Sequence, residues 1–559
     1  MNHIELFAGC GGLSLGLESA GFELLMANEL SPMASETFAY NFFGKDLSGK
    51  DAQSFSPSQP NAKWLRSRYE RTQLAQRLRE DPRAYPKMDE LGWSDISGPE
   101  SLKGSLVVGS IVELNRFLEN KPEIVSALKS GFGAGEVDLV SGGPPCQSFS
   151  MAGMREYSNS RNVLPMEFAK FVGLVNPRMA LLENVTGILR PFSVDGEKKH
   201  AWFEVAKAFV EQGYVPLCLH VNAKYAGVAQ NRPRFLMMLF RQKDVYKQVL
   251  ASVKSEQEHD LLASSGEFFK LAKSNPSLQY SPECLTCFDV ANERHLPLFC
   301  NSFLAPLVAH AGEKVAGKKK PYTVTEAIGD LKNEPDSKSG YWMELEASLA
   351  PHIAERPMEN HDYRYNRDRV QRRFRIYQIL QQIGKRRTQK EVQAVLAQVA
   401  STISDECAQD LCAHPFVGED GEEVRFNTHD KDALVAYLAR HDTKKQTQKA
   451  LDPTSPAPAA LSIPDDACHY EELRTLTVRE MARIQSFPDN FAFRSKVTTG
   501  GQMRKFEVPQ YTQVGNAVPP LLGRAIGRVF ADLLGRLGKA EVQHVKDVCA
   551  LDAQVAEAA

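Results

Sequence analysis

The sequence predicts an α/β fold in which a ligand binds at the carboxyl ends of the strands. Short apolar, β-branched runs are typical of buried strands, and amphipathic stretches between them are typical of helices. The first unit shows the pattern in full: Ile4–Phe7 is a predicted strand, Ala8–Gly12 a glycine-rich turn and Leu13–Ala20 a predicted helix. Such a unit brings glycine backbone and a helix N-terminus close to a ligand, as in nucleotide-binding folds.

Composition limits the class of protein. Of the 559 residues, 43% are apolar and 24% are charged, as in globular domains, and the length allows two or three domains. No apolar run approaches the roughly 18 residues that would span a bilayer. Ten irregularly spaced cysteines indicate a reduced, cytoplasmic compartment rather than a disulfide scaffold. The net charge of −2 means that nucleic-acid binding must depend on local basic clusters.

An acidic residue ends the second predicted strand. Glu23–Ala27 is that strand, and Glu29 follows it at the position where a carboxylate binds the hydroxyl groups of a ribose in nucleotide-binding folds. A solvated loop glutamate is the alternative interpretation.

A rigid loop presents one thiol. The predicted strand Glu136–Ser141 ends in Gly142-Gly143-Pro144-Pro145-Cys146-Gln147-Ser148-Phe149-Ser150. Proline fixes φ and glycine allows the tight turn, so the loop holds Cys146 in place, as suits a nucleophile. A buried structural cysteine is the alternative.

Three further charged side chains lie next to predicted strands. Glu183 ends the predicted strand Met179–Leu182, where ligand chemistry collects in open sheets. Arg232 and Arg234 precede the predicted strand Phe235–Phe240, and their spacing points both side chains the same way. They could clamp a phosphate or a base edge, or form a surface pair.

Taken together, these segments resemble the cytosine-5 DNA methyltransferase family. Seven motifs stand in the family's order: Phe7-Ala8-Gly9-Cys10-Gly11-Gly12, Glu29, Pro144-Pro145-Cys146-Gln147-Ser148-Phe149-Ser150, Glu183-Asn184-Val185, Gln230-x-Arg232-x-Arg234, the run from Arg474 to Asp489, and Gln513-Val514-Gly515-Asn516-Ala517-Val518-Pro519-Pro520. The resemblance covers about 1–44, 105–240 and 470–535.

The resemblance implies an α/β, S-adenosylmethionine-dependent methyltransferase (Rossmann-like) fold: a mixed seven-stranded sheet with a smaller target-recognition domain. The catalytic domain should be discontinuous, with 1–332 as its first part, 466–537 as its remainder and 538–559 as a tail. Insertions are expected at about 45–104, with a charged helix over 63–80, and at 241–320. A helix from Pro519-Pro520 should pack beside the first helix.

The resemblance also implies the reaction. The Cys146 thiolate would attack C6 of a flipped-out cytosine, and Glu183 would act near N3. Arg234 would hold the cytosine O2, and Arg232 would support the catalytic carboxylate and loop. Pro144, Gln147 and Ser150 would contact the substrate, with the Pro144 carbonyl accepting from the exocyclic amine.

The implied cofactor is S-adenosylmethionine. The residues implied to bind it are Phe7, Gly9, Gly11, Glu29, Ser110, Leu164, Asn516 and Val518. Three positions depart from the family, which usually has Asp where Glu5, Ser110 and Asn159 stand. Ser110 can still accept a hydrogen bond, so cofactor binding is expected to survive, with adenine recognition altered.

The region 333–465 should read DNA. Residues 361–390 contain ten Lys or Arg and two Asp, a net charge of +8. Val370, Phe374, Tyr377 and Leu380 fall at helical spacing, which predicts a helix with one apolar and one basic face. Arg372 and Arg373 would neutralise phosphates there. A solvated surface is the alternative.

These features lead to a sequence-specific DNA methyltransferase of prokaryotic or phage type, cytoplasmic and monomeric. It would act on double-stranded DNA, beside a separate restriction endonuclease, and without an N-terminal regulatory domain. An RNA (transfer RNA) cytosine-5 methyltransferase is the first alternative, and a non-catalytic DNA-binding relative is the second. Cys284 and Cys287 form half of a zinc signature, and no metal site is predicted.

Overall fold

A central mixed sheet organises the computed structural model, which describes residues 1–49, 59–145, 163–194, 197–445, 448–459, 463–501, 503 and 506–538. Its nine strands, in chain order, are β1 (Asn2–Leu6), β2 (Glu23–Glu29), β3 (Ala62–Trp64), β4 (Ser105–Val108), β5 (Leu139–Gly142), β6 (Met179–Val185), β7 (Tyr214–Asn222), β8 (Pro233–Arg241) and β9 (Cys287–Asp289). The spatial order is β9-β7-β8-β6-β5-β1-β2-β4-β3. Strand β8 runs antiparallel to β6 and β7, and the other pairs are parallel. The predicted mixed α/β sheet is confirmed.

Helices cover both faces of this sheet, and further helices lie outside it. In chain order they are α1 (Gly12–Glu18), α2 (Pro32–Phe43), α3 (Leu74–Arg77), α4 (Ile111–Glu119), α5 (Pro122–Lys129), α6 (Leu164–Val175), α7 (Ala201–Glu211), α8 (Lys247–Ala251), α9 (Glu256–Ser274), α10 (Leu296–Cys300), α11 (Val324–Ile328), α12 (Gly340–Ser348), α13 (Asp368–Ile383), α14 (Arg386–Leu396), α15 (Asp405–Cys412), α16 (Lys431–Arg440), α17 (Val478–Ile484), α18 (Gln510–Asn516) and α19 (520–538). Successive strand residues point to opposite faces. Leu181 accordingly joins the core beneath α1 and α19, whereas Leu182 joins the core beneath α6 and α7.

In the described ranges, four two-stranded ladders lie outside the central sheet. They pair Pro191–Val194 with Glu197–His200, Gln230–Asn231 with Ala457–Pro458, Phe416–Val417 with Glu423–Val424, and Lys449–Ala450 with Ala467–Cys468. Among the described residues, no helix combines the length and the apolar character that crossing a membrane requires.

The two predicted insertions each add one strand to an edge of the sheet. Five of the seven inner strands, β1, β2, β5, β6 and β8, lie where the sequence predicts strands. Strand β3 comes from the first insertion and pairs with β4, while β9 comes from the second and pairs with β7. The sheet therefore has nine strands rather than seven, and each insertion covers an edge that would otherwise expose unpaired backbone groups.

The predicted charged helix over 63–80 is wrong. Ala62–Trp64 forms strand β3, and only Leu74–Arg77 is an α-helix. Lys63 is buried and its Nζ donates to the Ser101 carbonyl at 2.6 Å, while Arg77 pairs with Asp95 at 2.7 Å. These cations have partners inside the insertion, so they do not form a basic face toward nucleic acid.

Glycines let the first and last described helices touch. A Cβ on Gly16 would lie 2.5 Å from the Pro520 carbonyl oxygen, and one on Gly527 would lie 2.6 Å from the Ala20 Cβ. Real Cβ atoms do not approach so closely, so α1 and α19 meet along a stripe that only glycine permits. This contact confirms that the helix beginning at Pro519-Pro520 packs beside the first helix.

The region between the two catalytic parts has a core of its own. Phe374, Tyr377 and Leu380 of α13 pack with side chains of α14, α15 and α16 in a cluster separate from those of the sheet. The predicted helix with an apolar face is confirmed, since α13 spans Asp368–Ile383.

The basic side chains of α13 are largely used inside this region. Arg373 is buried and donates to the Asp442 carbonyl at 3.1 Å, which contradicts the prediction that it contacts phosphate. Half-buried Arg372 donates to the His441 Nε2 at 3.3 Å, and Arg375 to the Pro415 carbonyl at 2.9 Å. These arginines bind backbone and side chains of neighbouring segments, so they hold the recognition region together.

Candidate active site

A cavity of about 450 Å³ opens at the carboxyl ends of β1, β2, β4, β5 and β6. It is lined by most of the predicted site residues: Phe7, Gly9, Glu29, Ser110, Pro144, Leu164, Glu183, Arg232, Arg234, Asn516 and Val518. The sheet therefore brings together residues that are up to about 500 positions apart in the sequence.

The glycine-rich turn shapes one end of the cavity. Gly9 lies at φ 56°, a left-handed conformation that favours glycine. Gly11 does not line the cavity. Its φ is 97°, and a Cβ there would lie 2.2 Å from the Phe42 ring. Gly11 is thus required for packing at the start of α1 rather than for direct ligand contact.

Glu29 holds this turn in place. Its Oε2 accepts a hydrogen bond from the Gly9 amide at 2.8 Å, and its Oε1 accepts one from the Ser31 amide at 2.7 Å. Burial raises the pKa of the Glu29 carboxyl, an effect that these amide donors oppose. The carboxylate faces the cavity while it is held from both sides, a geometry suited to binding neighbouring hydroxyl groups.

Ser110 begins helix α4 at the wall of the cavity. Its hydroxyl accepts a hydrogen bond from the Val112 amide at 3.2 Å, the usual arrangement of an N-terminal cap. The Asn28 side chain donates to the carbonyls of Val107 and Gly109 at 2.9 and 3.0 Å. These bonds tie the ends of β2 and β4 together and fix where Ser110 stands.

Two buried groups at this end carry unusual acidities. Glu5 lines the cavity and accepts a short hydrogen bond from the Ser14 hydroxyl. Burial raises the pKa of Glu5 to about 8 and that of the Cys10 thiol to about 12. A thiol with so high a pKa is a poor nucleophile, so Cys10 is a packing residue.

The Glu183 carboxylate forms an ion pair at the other end of the cavity. The Arg234 Nε lies 2.7 Å from the Glu183 Oε1, and both side chains are about nine-tenths buried. A Cβ on Gly143 would lie 2.9 Å from the Glu183 Oε2, so glycine is needed where the loop passes the carboxylate. Burial lowers the pKa of Arg234, which its neighbour Glu183 opposes. The pair fixes one carboxylate oxygen and leaves the other beside the loop.

Asn184 is a site residue whose role the sequence did not reveal. Its Nδ2 donates to the Pro144 carbonyl at 2.8 Å and so orients the loop that leads to Cys146. A carbonyl oxygen has two lone pairs, so Pro144 can still accept a second hydrogen bond from a substrate.

Arg232 has a different partner from the one predicted. Its Nη2 donates to the carbonyls of Gly515 at 2.7 Å and Ala517 at 3.0 Å. Burial lowers the pKa of this guanidinium well below its ordinary range. Arg232 thus anchors the last motif, and Arg234 rather than Arg232 supports the carboxylate.

Cys146, Gln147 and Ser150 lie outside the described residues. The described chain reaches Pro145, which lines the same cavity as Glu183 and Arg234. The residue that precedes Cys146 is therefore placed next to the ion pair.

Comparison with known proteins identifies the class. The model of the C-5 cytosine-specific DNA methylase family matches residues 1–62 and 120–531. The chain belongs to this family and is a DNA cytosine methyltransferase. The unmatched stretch, 63–119, contains most of the first insertion.

Particular relatives extend over nearly the whole chain. The type II methyltransferase M.DdeI of Desulfomicrobium norvegicum is 24% identical over 528 residues, covering 94% of this chain and 87% of its own. M.Bpa9945I of Bacillus paralicheniformis is 24% identical over 554 residues, covering 95% and 98%. A solved structure of a prophage-encoded DNA modification methyltransferase of E. coli has a TM-score of 0.46 at 20% identity, covering 96% and 99%.

Proposed function

We propose that this DNA cytosine methyltransferase transfers a methyl group from S-adenosylmethionine to C5 of a flipped-out cytosine through a covalent Cys146–C6 adduct. The observation that carries the proposal is the buried Glu183–Arg234 pair, 2.7 Å apart, in the cavity that Pro145 also lines. A carboxyl and a guanidinium side by side can recognise the N3 and O2 edge of a cytosine.

The residues at the first end of the cavity fit the cofactor. Gly9 leaves open backbone in the turn, and the Glu29 carboxylate faces the cavity at the position that binds ribose hydroxyls. Phe7 and Ser110 line the same cavity, where the Phe7 ring would contact the adenine and the Ser110 hydroxyl would accept from its amine. Leu164, Asn516 and Val518 complete the wall. When bound, S-adenosylmethionine supplies an electrophilic methyl group.

The protein's own residues account for the rest of the reaction. The Cys146 thiolate forms a bond to C6, and the ring electrons move toward C5 and N3. Glu183 donates a proton or hydrogen bond at N3, where negative charge develops. Arg234 holds Glu183 and, through its remaining N–H groups, the cytosine O2. After methylation a base, for which a water can serve, removes the C5 proton, and the C6–S bond breaks to release Cys146.

The biological setting follows from the relatives. M.DdeI and M.Bpa9945I are type II methyltransferases. We propose that this protein likewise modifies double-stranded DNA in a prokaryotic cytoplasm, as a monomer, and protects it from a separate restriction endonuclease.

Trapping the adduct tests the proposal. The protein is incubated with S-adenosylmethionine and duplex DNA that carries 5-fluorocytosine, whose C5 substituent cannot leave as a proton. We expect a covalent complex that is absent from Cys146→Ala and retained by Cys412→Ala, a change at a free cysteine of the recognition region. Trapping on transfer RNA alone would support the RNA methyltransferase instead, and no trapping on either would contradict the mechanism.

A further inference from the structure

A second cavity, of about 290 Å³, lies between the recognition region and the segment that leads into the last motif. One wall is Arg364 with Ile463–Asp465. The other wall is Thr498–Gly500 with Pro509, Tyr511 and Thr512. Two segments that are separate in the sequence therefore line the same cavity.

The charges around Asp465, which lines this cavity, are unequal. Asp465 is bound by two cations: its Oδ1 lies 3.5 Å from Arg364 and its Oδ2 lies 3.1 Å from Lys445. The side chains of Arg364 and Lys445 are 38% and 46% exposed, and that of Asp465 is 30% exposed. One carboxylate cannot neutralise two cations, so this group of three carries one net positive charge at the surface.

The second segment lines the cavity with threonine side chains. These belong to Thr498, to Thr512 and to Thr499, whose hydroxyl donates a hydrogen bond to Glu507. Positive charge facing hydroxyl groups and a glycine backbone is suited to a phosphate oxygen.

Helix α18 joins this cavity to the active site. Its residues Tyr511 and Thr512 line the second cavity, whereas Gly515 and Asn516 line the first. Seven helical residues span about 10 Å at roughly 1.5 Å per residue. Successive phosphates of one DNA strand advance by about 3.4 Å each, so the two cavities lie within a few nucleotides of each other.

We propose that Arg364 and Lys445 bind a backbone phosphate of the DNA strand whose cytosine enters the active site, while Asp465 between them offsets one of the two positive charges. This inference rests on the proposed function, because it takes duplex DNA as the substrate. It places the phosphate contact on Arg364 and Lys445 rather than on Arg373, which is buried.

Paired substitutions test the contact in both directions. Binding is measured by fluorescence anisotropy at several salt concentrations, on a duplex with a site mapped by bisulfite sequencing of DNA from expressing cells. Arg364→Ala should weaken binding about three- to tenfold and reduce the salt slope by about one. Asp465→Asn should strengthen binding and steepen the slope, a gain that misfolding cannot imitate. Arg387→Ala is the control, since this exposed arginine pairs with Glu391 and Glu406 on α14 and α15.

Replacing single phosphates by uncharged methylphosphonates identifies the phosphate that Arg364 and Lys445 bind. Single methylphosphonates are placed position by position on each strand of the same duplex. One position on the target strand should weaken binding to the wild-type protein, and should weaken binding to Arg364→Ala less, because only Lys445 then remains to bind that phosphate. The proposal is overturned if Arg364→Ala matches Arg387→Ala, if Asp465→Asn weakens binding, or if calorimetry shows saturable binding of inorganic phosphate without any methylphosphonate effect.

The two proposals fail separately. The wild-type adduct with 5-fluorocytosine is measured on the same preparation. An absent adduct contradicts the proposed reaction, whereas a normal adduct with an unchanged salt slope in Arg364→Ala contradicts only the phosphate contact.

Discussion

At the residue scale, Ser110 is the clearest departure from the family pattern among the residues that we propose bind the cofactor. Its hydroxyl is already engaged by the Val112 amide at 3.2 Å, so it is a weak acceptor for an adenine amine. An aspartate can cap the helix with one oxygen and accept from the amine with the other. We expect Ser110→Asp to bind S-adenosylmethionine more tightly, as measured by calorimetry.

A second variant at this position separates the capping role of Ser110 from cofactor recognition. Ser110→Ala removes the cap and should cost about 1 kcal/mol of stability. Unchanged or weaker cofactor binding in Ser110→Asp would show that Ser110 does not lie at the adenine amine.

Glu5 predicts a dependence of stability on pH. Burial raises its pKa from 4.5 to about 8, so the folded protein holds a proton that the unfolded chain releases. Between these values the unfolded chain binds fewer protons, and stability therefore falls as the pH rises. Glutamine cannot ionise and can still accept from Ser14. We expect the stability of Glu5→Gln relative to the wild type to increase from pH 5 to pH 8, by an amount on the order of a few kcal/mol.

Urea unfolding at each pH measures this difference. Burial also raises the pKa of Glu18 to about 8, so part of the slope should remain in the variant. Glu23→Gln, at an exposed position, is the control. Parallel pH curves for Glu5→Gln and the wild type would show that Glu5 is ionised in the folded protein.

At the element scale, the contact between α1 and α19 controls both stability and the cofactor site. A Cβ on Gly16 would lie 2.5 Å from the Pro520 carbonyl, and a Cβ on Gly535 would have no atom within 4 Å among the described residues. Gly16→Ala should therefore destabilise the protein by about 1–3 kcal/mol. Gly535→Ala, in α19, should stabilise it by about 0.5–1 kcal/mol.

Chemical denaturation with calorimetry of cofactor binding checks this pair. Because α19 follows Val518 at the cavity wall, Gly16→Ala should also weaken cofactor binding. Equal stability of the two variants would mean that the helices can separate without cost.

Most inner strands could be predicted because their signal is local. Met179–Leu182, for example, is a continuous apolar run that a buried strand needs, and the observed strand is Met179–Val185. The 63–80 segment could not be predicted, because the partners of Lys63 and Arg77 lie at Ser101 and Asp95. Charged side chains are usually exposed, and only the fold shows that those of Lys63 and Arg77 are buried. Strands β3 and β9 have three residues each, too few to show a period.

The residues of the candidate active site could likewise be predicted only in part. Motif residues such as Glu29 and Glu183 could be placed in the cavity, because strand ends converge there. The partners of Arg232 and Arg234 could not be predicted, because two arginines at i and i+2 do not indicate which one binds a carboxylate. Asn184 was named only as part of a motif, since its hydrogen bond to Pro144 depends on the packing of β5 against β6.

At the scale of the whole molecule, the region that we propose reads DNA and the sheet that we propose binds the cofactor have separate cores. Phe374 is fully buried in the cluster of the recognition region, apart from the clusters that cover the sheet. Phe374→Ala should destabilise that region by about 3–5 kcal/mol. We expect DNA binding to be lost in anisotropy measurements and cofactor binding to persist in calorimetry.

Val399→Ala, at a position 81% exposed, is the matched control and should change neither. Loss of cofactor binding in Phe374→Ala would show instead that the two cores unfold together.

The contact between α1 and α19 also concerns the time at which the enzyme becomes active. The turn that begins the cofactor corner and the Asn516–Val518 wall that completes it are about 500 residues apart. At roughly 5–20 residues per second, the ribosome makes the second part about 25–100 s after the first. A nascent chain therefore carries a half-built cofactor site throughout its synthesis. If this corner binds the cofactor as proposed, methyltransferase activity begins only after residues 516–518 have been made, so translation itself delays it.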